Sequence, residues 1–165
     1  MIKTMKLITI LLFTILVAFI VTQGSLGQCY SLPSPDDGEE RIFAQSACSG
    51  VSNDPPNPTI FAIDEQRTIT RIGTYHWNDA SGESPGTIGL KDQFGKTYGP
   101  WQAEGESGQG GVPNAYWIVY LSPFVDLPAG TYTIIDSSPS TWSYTYGSEN
   151  SGIASIIGLK GSSEK

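Results

Sequence analysis

His76 is the only histidine in the chain. Any Ser-His-Asp or Cys-His centre would therefore have to be built on it. It stands between Tyr75 and Trp77 on a stretch that reads as a strand, and no Gly-x-Ser-x-Gly elbow occurs. A histidine in that setting is expected to be packed or surface-exposed rather than catalytic, so the protein is not expected to be an enzyme. Zinc needs three or four His, Cys or carboxylate ligands, and no metal centre is expected either.

Sixteen Asp and Glu residues offer other chemistry. Glycoside hydrolysis uses two carboxyls across a scissile bond. Glu104, Glu106, Asp126 and Asp136 stand at strand ends or in a glycine-rich loop, where such a pair would sit. The plainer reading is a solvated acidic rim. No cofactor is expected, but a structural calcium stays open. Asp64, Glu65, Asp136 and backbone carbonyls are hard oxygen ligands, although no Asp-x-Asp-x-Asp-Gly loop is present. The run Gly108-Gln109-Gly110-Gly111 lacks the Gly-Lys-Ser/Thr of a phosphate loop and follows two glutamates. It reads as a tight crossing loop.

The aromatic residues carry the strongest signal. Trp77, Trp101, Trp117 and Trp142 have several tyrosines beside them. Small-molecule sites combine aromatic walls with a few fixed polar groups. Sugars suit that mixture, because their C–H faces lie on rings while amides and carboxylates take their hydroxyls. Asn78, Gln109, Asn114 and Asp136 lie at element ends near those rings. The competing reading is that a small β-sandwich keeps its Trp and Tyr in the core. Trp117 is expected in the core; Trp77 and Trp142, beside turns, fit either reading.

The elements that must position these residues are strands. Residues 115–121 alternate, with Ala115, Trp117, Val119 and Leu121 on one face and Tyr116, Ile118 and Tyr120 on the other. Leu127-Pro128-Ala129-Gly130 is a turn in which proline pre-sets φ and glycine supplies φ > 0. Residues 131–135 form the next strand. Upstream, 59–63 and 68–77 read as strands. In the second, the period slips between Ile69 and Ile72, which predicts a bulge near Thr70 and Arg71. Beyond the slip, Ile72, Thr74 and His76 share a face opposite Gly73, Tyr75 and Trp77. Residues 87–91 and 96–103 make a hairpin around Asp92-Gln93-Phe94-Gly95. Trp142, Tyr144 and Tyr146 alternate with Ser143 and Thr145, and 153–159 is the last strand. Ile72, Ile88, Leu90, Trp117, Val119, Ile134 and Ile156 are the expected core. The fold class is all-β, an antiparallel, jelly-roll-like β-sandwich.

The N-terminus has its own pattern. Lys3 and Lys6 precede an apolar run over 7–21 and a short, small, polar stretch, the anatomy of a signal peptide over 1–27. An uncleaved anchor is the alternative, since the run is near the ~20 residues a span requires. Cleavage gives a secreted protein that does not span the membrane. It also removes two lysines, moving the formal charge from −7 to −9; such a surface repels nucleic acid. Residues 28–58 read as an arm, with Arg41 to Ala47 a first strand or a helical turn. In an oxidising compartment Cys29 and Cys48 are expected to pair and tie that arm. The alternative, two reactive thiols, finds no base or metal nearby in sequence. The main domain is expected over 59–160, with a polar tail over 161–165.

Tyr75-His76-Trp77-Asn78, Pro85-Gly86-Thr87-Ile88, Tyr98-Gly99-Pro100-Trp101, residues 108–117, residues 127–132 and Thr141-Trp142-Ser143 together resemble a recurrent domain of secreted microbial proteins whose function is unassigned. The resemblance covers roughly 59–158. It implies a fold similar to the jelly-roll domains of carbohydrate-binding modules. An acidic residue often stands in that pattern where this chain has Ser138, which weakens a metal site on the Asp136 turn.

The expected function is non-catalytic binding of a glycan or another cell-surface component. The alternative is a structural or protein-interaction domain with no small-molecule site. Loops carry sites on rigid β scaffolds. The expected site therefore joins Trp77 and Asn78, Gln109 and Asn114, and Asp136 and Trp142 at one end of the sandwich.

Overall fold

The computed structural model describes residues 32–45 and 50–160. The signal segment, the Cys29–Cys48 pairing and the tail lie outside the described residues. Among those described there is no α-helix, only strands and short 3-10 turns, and no helix is long and apolar enough to cross a membrane.

The described residues form eleven strands: β1 (Glu39–Ala44), β2 (Ser52–Asn53), β3 (Ile60–Ile63), β4 (Arg67–Tyr75), β5 (Thr87–Asp92), β6 (Thr97–Gln102), β7 (Glu104–Glu106), β8 (Tyr116–Leu127), β9 (Gly130–Asp136), β10 (Ser143–Tyr144) and β11 (Ala154–Leu159). One sheet has the order β1-β11-β4-β8-β7, a second β3-β9-β5-β6, and β10 pairs with β2 in a small third. Every pairing between these strands is antiparallel. The turn at Pro128 carries the chain from β8 in one sheet to β9 in the other, so it is an arch over the core edge rather than a hairpin.

The main core lies between the two large sheets. Ile69, Ile72, Trp117, Val119, Leu121 and Ile156 face Phe61, Ile88, Leu90, Tyr132 and Ile134, and all seven residues expected in the core are buried. The alternation of β8 sends Trp117, Val119 and Leu121 inward. Ile118, on the other face, is also buried, because Leu32, Val112 and Ile153 build a second apolar cluster there with Tyr75; Ala115, expected on the inward face with Trp117, belongs to this outer cluster instead, because it precedes β8 and so escapes its alternation.

The bulge in β4 falls at Thr70. Against β8, Arg71 faces Tyr120 and Ile69 faces Val125; against β11, Arg71 faces Ile157 and Ile69 faces Gly158. Residues 121–124 of β8 thus stand opposite Thr70 alone. These extra residues of β8 include a cis Ser122–Pro123 peptide and the exposed Phe124.

The stretch read as an arm is corrected by its pairing. β1 is an edge strand of the five-stranded sheet, in register with β11 from Glu39↔Leu159 to Ala44↔Ser155. The strand option for residues near Arg41 is the one realised, and the sandwich takes in residues well before 59. Arg71, largely buried in the sheet, explains why. Its guanidinium pairs with Glu39 and reaches Asp36 at 3.4 Å and Ser34 O at 3.2 Å. A charge placed there requires partners, and the N-terminal stretch supplies them. Burial raises the Glu39 carboxyl. Hydrogen bonds from Thr70, the Asp36 backbone and Arg71, with the Arg71 charge, outweigh this and hold it below its ordinary value.

Candidate functional site

β4 and β9 end, and β5 and β8 begin, at the same end of the sandwich: Tyr75 pairs with Tyr116 and Ile88 with Asp136. The three segments expected to form a site, around residues 77–78, 109–114 and 136–142, are therefore brought to one end. Close contacts lock them together. A Cβ on Gly82 would fall 1.7 Å from Pro113 O, and one on Gly86 would fall 2.1 Å from Ser137 Oγ and against the Trp117 ring. The Trp77 N–H donates to Ser143 Oγ at 2.8 Å.

The pin of this end is His76. Its Nε2 lies within hydrogen-bond distance of Asp136 Oδ2, 3.1 Å, with both side chains sealed from solvent. Nδ1 meets Thr141 Oγ1 at 3.0 Å, and the imidazole stacks on Trp117 at 3.8 Å between centroids. Asp136 also accepts from Thr74 Oγ1 at 3.0 Å and from Ser138 N at 2.8 Å. Thr74 and His76 reach this network because they alternate onto the inner face of β4; Asp136 reaches it as the last residue of β9.

Hydroxyl, imidazole and carboxylate stand here in the order that nucleophilic hydrolases use. The chemistry is not available to a substrate, because His76 is wholly buried beneath Trp117. Thr141 Oγ1 is also held 3.2 Å from Ser138 O. The arrangement ties β4, β9 and the 137–141 turn together.

Each expected site residue has a definite place. Trp142 is only 5% exposed; its Nε1 donates to Ile153 O at 2.9 Å, and a Cβ on Gly152 would enter its ring at 2.1 Å. The expectation of an exposed stacking ring at Trp142 is thus corrected. The strand expected through 142–146 is only Ser143–Tyr144, so alternation fails and Trp142 is turned into the core. The Asp136 carboxylate is consumed by the buried network. Trp77 is half-buried against the outer cluster. Asn78, Gln109 and Asn114 are partly exposed, and the Asn78 side chain donates to Gly82 O at 2.8 Å. Asn78, Asp79 and Ala80 have successive φ values of 46°, 52° and 64°, a left-handed turn that costs free energy in non-glycine residues. Among the described residues no group of three or more His, Cys, Asp or Glu is placed to hold a metal ion.

This end carries a groove of about 280 Å³ beside β9, lined by residues 55–59, residues 134–136, Pro139 and Trp142. Sequence reasoning missed this surface, since it assigned residues 55–58 to the arm and not to the sandwich. Comparison with protein families, characterised proteins and solved structures finds no match to this chain.

Proposed function

We propose that this protein is a secreted, non-catalytic binding module that recognises a glycan or other cell-surface component at the loop end of its sandwich. One observation carries the reading: a buried polar pin and close glycine contacts hold three loops rigid beside an open groove, while the one imidazole is inaccessible. A rigid scaffold lowers the entropic cost of binding. The reading takes the sandwich as jelly-roll-like, as in carbohydrate-binding modules, and takes the apolar run over 7–21 as a cleaved export signal. A mature chain of formal charge −9, with Lys3 and Lys6 removed, favours neutral partners over nucleic acid.

The burial of Trp117 and Trp142 favours the second reading, a protein-interaction domain, because the rings that would stack on sugars are largely core. Binding of the labelled mature protein to a glycan array and to protease-treated cells separates the two. Retention on glycans, or on cells after proteolysis, supports the first; binding abolished by proteolysis, with a blank array, overturns it.

A further inference from the structure

Among the described residues the two large sheets end in four edge strands, β1 and β7 on one, β3 and β6 on the other. An edge offers unpaired N–H and C=O groups to any extended chain unless something blunts it. Three of these edges are blunted. β1 carries Glu39, Glu40 and Arg41 and a break in register before Phe43. β7 is only Glu104-Gly105-Glu106. β6 is interrupted by Pro100, which has no N–H to give. β3 has none of these devices. It reads Ile60-Phe61-Ala62-Ile63, and no charged residue stands between Pro55 and Ile63.

Register shows which backbone groups of β3 face outward. The Ile134 N–H donates to Thr59 O at 2.9 Å, while Ile60 stands opposite Thr133 and Ala62 opposite Thr131. Hydrogen-bonded pairs alternate along an antiparallel ladder. Thr59, Phe61 and Ile63 therefore turn their backbone groups to β9, and Ile60 and Ala62 turn theirs away from it. Thr131 O fits this phase: it accepts from the Gln93 N–H at 3.0 Å, on the side of β9 away from β3. Among the described residues no strand but β9 pairs with β3. Phe61 fixes the strand from the core side, stacking on Phe43 at 5.6 Å and on Tyr132 at 5.4 Å between centroids, so little order is lost when a partner strand docks. Ile60 and Ala62 are exposed on the outer face, and Ile135 of β9 is exposed beside them. An apolar strip thus adjoins the outward groups.

We infer that the edge of β3 pairs with β3 of a second copy of this chain, antiparallel about a two-fold axis at Phe61. The outward groups of Ile60 then meet those of the partner's Ala62, and those of Ala62 meet the partner's Ile60, so both sets of N–H and C=O are satisfied at once. Charge selects this occupant and this direction. A strongly acidic chain repels its own copies except through an uncharged surface, and residues 55–63 are one. The antiparallel register sets Asp64 opposite the partner's Pro58 and Glu65 opposite the partner's Asn57. A parallel pairing would lay both carboxylates against their own copies. Pro58 lacks an N–H and Asp64 opens a charged turn, so the shared strand is short. The dimer is therefore a weak one, filled at high protein concentration, and it makes the module bivalent.

The test is sedimentation equilibrium of the mature protein from about 5 to 500 µM, with amide hydrogen exchange at both ends of that range. Ala62→Pro removes an outward N–H and spares the β3–β9 bonds. Ala62→Lys sets a charge on the edge. Phe124→Ala removes an exposed ring on the other sheet. The pairing predicts a wild-type dimer and protection of the Ile60 and Ala62 amides that grows with concentration. It also predicts a dimer Kd about tenfold or more weaker in both Ala62 variants, with Phe124→Ala unchanged. Exchange in the wild type decides the matter even where a variant fails to fold. A wild type that stays monomeric throughout overturns the pairing. So does a dimer that survives in folded Ala62 variants, or one that leaves both amides unprotected. Protection of both amides at every concentration would show β3 covered by another segment of its own chain, and overturns it equally.

Discussion

Nε2 of His76 lies 3.1 Å from Oδ2 of Asp136, and neither side chain touches solvent. The pair joins the end of β4 in one sheet to the end of β9 in the other. Asp136 accepts from Thr74 and Ser138 and is hydrogen-bonded to His76. Asp136→Ala leaves these partners unpaired in the interior, each costing ~1–3 kcal/mol. The expected loss of unfolding free energy is about 3 kcal/mol or more, read by urea denaturation. A loss below ~1 kcal/mol would show that the network is not structural.

Trp142 and Trp117 are expected to behave alike, as core rings. Deleting either should cost ~3–5 kcal/mol, with any loss of binding following from unfolding. Gly152→Ala should reproduce part of the Trp142 effect, since its methyl would enter the indole. An unchanged melting temperature in Trp142→Ala would return that ring to the surface and restore the original site.

Glu39 sets an acid limit. Its carboxyl sits below its ordinary value in the fold because hydrogen bonds and the Arg71 charge outweigh desolvation. A folded pKa lower than the unfolded one means stability that is present above the unfolded value and lost as pH falls through the folded one. Glu39→Gln should therefore flatten the decline of stability below about pH 4.5. Parallel curves for mutant and wild type between pH 5 and 3 would refute this.

Tyr120 and Tyr132 set the alkaline limit. The hydrogen bond that Tyr120 Oη donates to Glu106 Oε1 at 2.6 Å, then burial, push that phenol up to about 12. Burial, then Tyr98, pushes Tyr132 up to about 12. Both pKa values are raised above the unfolded phenol, so their contribution to stability is complete below about pH 10 and is lost as pH rises toward 12. Ultraviolet titration of phenolate should show Tyr120 and Tyr132 among the late tyrosines. Glu106→Gln should bring one of them earlier, and no change in the titration would disprove the assignment to Tyr120.

Local pattern was enough to read most of the strands. Alternation is a property of neighbouring residues, so the faces of β8, the slip at Thr70 and the β5–β6 hairpin were legible without knowing their partners. The presence of β1 was only half legible, because its strand character depends on Arg71 needing acidic partners from a segment some thirty residues earlier. That alternating turns could bring the three loops to one end was legible too; what seats them against each other is contact across the sheets, such as Gly86 against Ser137 and His76 against Asp136.

By itself, the sequence determined an all-β chain and most of its inward-facing residues, because side-chain type and period decide those locally. Only the tertiary structure decided which rings face water. Trp142 lies inward because Gly152 leaves room for its indole and Ile153 O accepts its N–H. Tyr146, four residues on, points outward because a capping box ends the strand between them. His76 and Asp136 are sixty residues apart in sequence, and only the packing of one sheet on the other makes them partners. Burial and pairing across sheets are long-range contacts, so exposure, and with it the place of any site, emerges only when both sheets are in position.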